Sequence, residues 1–277
     1  FGRTPVPPRE QWDAVLADPA ASPEVRRRLE ALQRLEQRGI EVAQVAGDVT
    51  NVEDVRRAIA VAHDRFGTLD GVLHAAGVPG VGLMQFKTTA DMDKVLAPKA
   101  AGTLALATAL RGVPIDVLVL FSSVASATGA LGQADYCAAN VFLDAFAQGD
   151  RLPGSRVVSV AWGEWTWNGW AAGLDGYEPA IREHLVSHRE RFGISFDEGW
   201  RALVKVLASG ERHVVVAATQ RHVFHVAATL PVERVVERIA VTVELERQQP
   251  EPLAQLEVER RRGLAPRTFD QDLGEPV

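Results

Sequence analysis

From residue 40 onward the chain alternates short apolar runs with longer amphipathic stretches, and this alternation constrains its fold more than any other feature. Strand-length apolar segments separated by helical periodicity are the sequence form of βαβ units, which lay helices on a parallel sheet. Residues 40–45 read as a buried strand. Thr50 or Asn51 then caps a helix with Val52, Val55, Ile59 and Ala62 on one face, and Gly67 stops it. Further strands are expected at 69–76, 115–122, 157–162 and 213–218, and helices at about 89–110, 136–147 and 195–208. The fold class this pattern predicts is α/β, a doubly wound parallel sheet.

The two ends differ from this middle. Residues 1–39 are polar and helical, with Ser22 as N-cap, Pro23 at the first helical position and Gly39 as the stop. From about Pro231 a charge-mixed helical pattern runs over 232–247 with no strand signal, followed by Gln-Gln-Pro-Glu-Pro and an Arg-rich stretch at 260–262. The expected division is therefore 1–225 as the main domain and 226–277 as a C-terminal helix and interdomain linker. A start without Met and an end on Pro-Val suggest a segment of a longer polypeptide. The net charge of −6 carries no basic footprint, which argues against a nucleic-acid or anionic-membrane partner. No apolar run approaches the roughly 20 residues needed to span a bilayer. One cysteine, Cys137, and no secretory n- and h-region point to a reducing cytoplasm.

Chemistry concentrates in Phe121-Ser122-Ser123-Val124-Ala125-Ser126 and, after Gly129 and Gly132-Gln133, in Tyr136-Cys137-Ala138-Ala139-Asn140. Ser123 closes a strand and Tyr136 opens the next helix, so a short loop can bring both hydroxyls to the carboxyl edge of the sheet, where open α/β folds bind ligands. A phenol with an unperturbed pKa of about 10 is a poor acid at neutral pH. A nearby cation and a second hydroxyl on the same substrate carbonyl would make it useful. Lys99, in an apolar stretch of the helix before the Ser-bearing strand, is the candidate cation; a solvated surface Lys is the plainer alternative. Asn140, one turn beyond Tyr136, shares its helix face.

Ser123, Tyr136, Asn140 and Lys99, with His74-Ala75-Ala76-Gly77 upstream and Trp162-Gly163-Glu164-Trp165 downstream, resemble the ketoreductase domain of modular type I polyketide synthases, in the short-chain dehydrogenase/reductase superfamily. The resemblance runs from Gly2-Arg3-Thr4 to about Thr219, and the stretch 132–147 is its most specific part. Most of the superfamily has Lys four residues after the Tyr; here Asn140 stands there and Lys99 supplies the ammonium, an exchange typical of polyketide and fatty-acid synthase ketoreductases. The resemblance implies NADPH-dependent reduction of a β-ketoacyl thioester on an acyl carrier protein, beside neighbouring polyketide synthase domains. Tyr136 would give the proton and Ser123 would bind the carbonyl oxygen. Lys99 would lower the phenol pKa and hold the nicotinamide ribose, and Asn140 would join the proton relay. It also implies cofactor contacts from Arg3 to the 2′-phosphate, from Asp48 and Val49 to adenine, and from Ala75, Ala76 and Gly77 to the adenosine ribose.

Two departures accompany the resemblance. The family's Gly-rich phosphate loop and first strand have no match in the chain. Gly77-Val78-Pro79-Gly80-Val81-Gly82 has the wrong glycine spacing and opens no helix, so it reads as a substrate-side loop. Pro79-Gly80-Val81 replaces the Leu-Asp-Asp of B-type enzymes, and Thr128 replaces the Trp of A-type ones; the missing Asp leans to A-type. An inactive ketoreductase-like scaffold, or a related dehydrogenase acting on a free ketone, remain the alternatives. Elsewhere, His184 and His188 read as a solvated helix face, Cys137 as a packing residue without a base, and Ser122-Ser123 lacks a hydrolase elbow. Trp165, Trp167 and Trp170 read equally as core or as a loop lining an acyl channel.

Overall fold

Five parallel strands form one sheet in the order β1-β2-β3-β4-β5: β1 (Gly71–His74), β2 (Val117–Ser123), β3 (Arg156–Trp162), β4 (His213–Ala218) and β5 (Thr242–Leu245). This computed structural model describes residues 1–80, 84–130, 132–166, 178–218 and 242–245. The helices are α1 (Trp12–Ala17), α2 (Pro23–Gln37), α3 (Val52–Phe66), α4 (Thr89–Ala109), α5 (Ala125–Thr128), α6 (Ala134–Gln148), α7 (Pro179–Phe192) and α8 (Phe196–Ser209). Among the described residues no helix is long and apolar enough to cross a membrane.

Strand side chains alternate between the two faces of a sheet, and both faces are apolar here. Leu118 and Leu120 of β2 and Val157 of β3 pack with Val55 of α3, Leu106 of α4, and Leu143 and Phe146 of α6. Val119, Val158, Val160, Trp162, Val214 and Val216 pack on the other side with Ala202, Leu203 and Val206 of α8 and with Ile194. Burial on both faces is why these strands read as continuous apolar runs. Helix starts follow local chemistry. Asn51 Oδ1 accepts from the Glu53 amide at 2.9 Å, and Thr88 with Asp91 and Ser195 with Glu198 form reciprocal capping boxes. Pro23 opens α2 as expected, but the Ser22 side chain makes no capping bond. Arg156, at the start of β3, donates to the carbonyls of Val206, Leu207 and Glu211, and so supplies the partners that the C-terminal turn of α8 lacks.

Two expectations are corrected. Residues 40–45 are not a strand: among the described residues the pairing beside them is one parallel bridge, Gly2 with Ala46, too short a neighbour to form a strand. Thr242–Leu245, placed in a helical tail by the sequence pattern, is instead a strand, its backbone paired in parallel with Val215–Ala218 along the free edge of β4. The rest of the expected tail helix and linker, and the 225/226 boundary, lie outside the described residues. At the opposite edge β1 pairs, among the described residues, with β2 alone, and its Leu73 is 59% exposed.

His74 ends β1 at 3% exposure. Burial first, then the nearby Lys99 ammonium, hold its pKa down at about 4, against hydrogen bonding with the backbone at Pro98 and Lys99. Its stabilising contribution is complete above the ordinary pKa of 6.5 and is lost as pH falls through about 4, because the unfolded chain takes up the proton first. About 3 kcal/mol is expected to disappear across that window. Urea unfolding of His74→Gln should be correspondingly less pH-dependent between 6.5 and 4; a slope equal to that of the parent would contradict the assignment.

Candidate active site

The chemistry-bearing residues meet at the carboxyl ends of β1 and β2, where the sheet delivers ligand-binding loops. Ser123 is the last residue of β2, and its Oγ accepts from the Ala125 amide at 3.2 Å. That contact starts α5, a single helical turn that the sequence pattern does not reveal. The chain returns through the start of α6, which carries Tyr136 and, one turn on, Asn140. The Ser123 hydroxyl lies close enough to the Tyr136 phenol to bias its protonation. Burial pushes the phenol pKa up, while hydrogen bonding from Ser123 and Asn140 pulls it back. Asn140 is fully buried; its Nδ2 donates to the Tyr136 carbonyl at 2.7 Å, and its Oδ1 has no partner among the described residues. Ser122 Oγ donates to the Asn140 carbonyl at 3.3 Å, which ties α6 to β2 directly beneath the hydroxyl pair.

Lys99 does not reach solvent. It is 5% exposed and donates from Nζ to the Phe121 carbonyl at 2.6 Å, two residues before Ser123. Burial lowers its pKa to about 8, and the Asp144 carboxylate works against that change. Gly77 lies close alongside: a Cβ there would lie 3.2 Å from Lys99 Cε, a tight contact that the lysine side chain would have to yield to. Lys99 of α4 is thus brought to β2 two residues before Ser123, and Tyr136 of α6 lies beside Ser123.

The residues expected to hold a cofactor lie along the same edge. Ala75 and Gly77 are exposed and Ala76 is half-buried just past β1. Asp48 Oδ1 accepts from the Thr50 amide at 2.9 Å and the Thr50 hydroxyl at 2.8 Å. Those bonds, followed by the Arg3 guanidinium, hold the Asp48 carboxyl below its ordinary range against partial burial. Arg3 and Asp48 are thus close enough to interact. Val49 packs against Gly102 of α4, where a Cβ would come 2.9 Å from Val49 Cγ1. The small residues after β1 suit a nucleotide cofactor laid across this edge.

Trp165 behaves as core: its ring lies 4.9 Å from that of Trp162 and over Gly199, where a Cβ would be 2.2 Å away. Trp167 and Trp170 lie outside the described residues, as do Val81 and Gly82 of the glycine-rich loop. His184 and His188 share a face of α7, and His188 approaches Glu164 at 3.9 Å. Cys137 is half-buried. Two buried polar groups escape sequence reasoning. Asp144 accepts from Ser159 Oγ at 2.6 Å with His213 Nε2 at 3.4 Å, and Lys87 pairs with Asp135 beside Tyr136. The available signal is an acid in an otherwise apolar helix, Phe142-Leu143-Asp144-Ala145-Phe146, which reads as an exception to core patterning without naming a partner.

Comparison with known proteins identifies the family. The family model for the KR domain matches residues 14–167, more than half of the chain. A 6-methylsalicylic acid synthase of Aspergillus terreus is 36% identical over 206 residues, covering 74% of this chain and 11% of that protein. A phenolphthiocerol/phthiocerol polyketide synthase of Mycobacterium tuberculosis is 39% identical over 173 residues, 62% of this chain and 9% of that protein. The chain thus spans about a tenth of the length of these relatives. Among solved structures, a ketoreductase domain from the bacillaene assembly line is 29% identical with a TM-score of 0.57, covering 69% of this chain and 46% of that one. An A1-type ketoreductase is 28% identical with a TM-score of 0.57, covering 70% and 39%. This chain belongs to the ketoreductase (KR) domain family of polyketide synthases, a family of nicotinamide-dependent oxidoreductases.

Proposed function

We propose that the chain carries the catalytic centre of a ketoreductase that reduces a β-ketoacyl thioester, borne on an acyl carrier protein, to the β-hydroxyacyl thioester with NADPH. The observation that supports this most is that the Ser123 hydroxyl sits beside the Tyr136 phenol at the end of β2, while the buried Lys99 ammonium bonds the same strand at Phe121, two residues earlier. NADPH, when bound, supplies the hydride; the protein's task is to bind the carbonyl and provide the proton. Ser123 Oγ and Tyr136 Oη both donate to the substrate carbonyl oxygen. As negative charge develops on that oxygen, the Tyr136 proton transfers to it, and carbon and oxygen each gain one hydrogen. The remaining phenolate is stabilised by the Ser123 hydroxyl and the Lys99 ammonium, then regains a proton through Asn140 and solvent. A phenol pushed up by burial is protonated at neutral pH, the state reduction requires.

Arg3 would pair with the cofactor's 2′-phosphate and Asp48 with Val49 would line the adenine. Ala75, Ala76 and Gly77 would let the backbone approach the ribose. The partners follow from the same reading: an acyl carrier protein that presents the substrate and the polyketide synthase domains on either side.

Tyr136→Phe removes the proton donor while keeping the ring. Turnover of a β-ketoacyl N-acetylcysteamine thioester is expected to fall by about 10²–10⁴-fold with NADPH affinity within about twofold; undiminished turnover would contradict the role. Lys99→Met separates function from stability. Below pH 8 the buried ammonium costs the fold about 3 kcal/mol, a cost relieved as pH rises from about 8 to 10.5. Loss of the donor to Phe121 offsets part of that gain. The variant should therefore melt at or above the parent at pH 7 while losing turnover, and a variant that melts lower yet keeps turnover would refute both halves.

A further inference from the structure

The starts of the two helices that bring Lys99 and Tyr136 together are joined by a buried ion pair. Lys87 Nζ donates to both carboxylate oxygens of Asp135, at 2.7 and 2.8 Å, and the two side chains are 5% and 1% exposed. Lys87 immediately precedes Thr88, the N-cap of α4. Asp135 is the second residue of α6, next to Tyr136. The N-cap of α6, Gln133, has no side-chain capping bond. Asp135 Oδ1 takes over that work by accepting from the Tyr136 amide at 2.9 Å, and its charge sits at the positive end of the helix. Gly80 closes over the pair: a Cβ there would lie 2.8 Å from Tyr136 Cβ, 3.3 Å from Asp135 Oδ1 and 3.5 Å from Lys87 Nζ.

Desolvating two charges costs about as much as their attraction returns, and an apolar pair of equal volume is often as stable or more so. Stability alone therefore does not account for the pair. An apolar contact would hold α4 and α6 together but would let them slide; a lysine bonded to both oxygens of one carboxylate fixes where one helix starts against the other. One residue on is the phenol, and twelve residues on is the ammonium.

We propose that Lys87 and Asp135 are a positioning pair for the reduction assigned above, holding the first turn of α6 where the Tyr136 phenol lies beside Ser123. The proposal rests on the ketoreductase reading for its functional consequence and on geometry for the brace itself. Neither residue touches the reacting atoms. Misplacing a reacting group by about 1 Å can cost on the order of 10²-fold in rate.

The test uses the full chain with Lys87→Met, Asp135→Asn, and the apolar double variant Lys87→Met/Asp135→Leu, each assayed beside the parent and Tyr136→Phe. The single variants are expected to lower kcat by about 10–100-fold with KM for NADPH within about twofold. The apolar double variant is expected to melt at or above the parent while kcat stays low, and no lower than in the worse single variant, since the two residues act as one unit. An apolar double variant with parental kcat would overturn the proposal, as would losses that simply add. If the singles fail to fold, the double variant still decides. If the parent itself does not reduce the thioester, the ketoreductase reading falls separately, and the brace is judged by amide hydrogen exchange. The Tyr136 amide should exchange at least about tenfold faster in the double variant, since its acceptor is gone; unchanged protection there would overturn the brace.

Discussion

The hydrogen bond from the buried Lys99 ammonium to the Phe121 carbonyl is the contact on which the rest of the site depends. An amine on a helix normally stays in water, so holding it inside needs an apolar helix around it, an acceptor in front of it and a distant counter-charge. α4 supplies the first with Val95, Ala105 and Leu106, β2 the second at Phe121, and Asp144 of α6 the third. The same bond sets α4 against the end of β2, which fixes how far the ammonium lies from Ser123. Thr103 Oγ1 donates to the Lys99 carbonyl at 2.5 Å, a further bond on the turn that carries the ammonium.

Around this contact the core changes character. Near the middle of the sheet both faces are aliphatic. Toward the carboxyl ends on the α4–α6 side, His74, Lys99, Asn140 and Asp135 are all nine-tenths or more buried, and Asp144 is buried farther down α6 against Ser159 and His213. Each burial costs stability unless it is hydrogen-bonded or paired. Such concentrated violations of core patterning are expected where a fold trades stability for a site. The pKa of Lys99 near 8 and of His74 near 4 follow from the same desolvation. One ammonium remains charged at neutral pH and the imidazole beside it remains neutral, which keeps two like charges from competing for one pocket.

Much of this was legible in the sequence, for identifiable reasons. β4 and the helices α3, α4 and α8 follow from apolar spacing and caps such as Asn51 and Ser195, whose signals are local. Ser123, Tyr136, Asn140 and Lys99 stand out because polar residues interrupt apolar segments at fixed offsets, and the structure gathers them. Residues 40–45 mislead because apolar content signals burial, whereas a strand also needs a neighbour. Thr242–Leu245 misleads the other way, since four residues inside a charge-mixed stretch carry too little periodicity to reveal an edge strand. The Lys87–Asp135 pair is 48 residues apart, and the bonds of Asp144 to Ser159 and His213 are likewise long-range. Nothing local encodes such partners; only packing brings them together.

If this edge of the sheet joins hydride and proton at one carbonyl, the hydride must arrive from a fixed direction. Reduction of a β-ketoacyl thioester with NADPH deuterated on one face of the nicotinamide C4 tests that requirement most directly. Deuterium is expected at the β-carbon of the alcohol from one cofactor face and none from the other, with a single configuration at that carbon. Deuterium delivered equally from both faces, or a product without deuterium from either, would contradict the proposed chemistry.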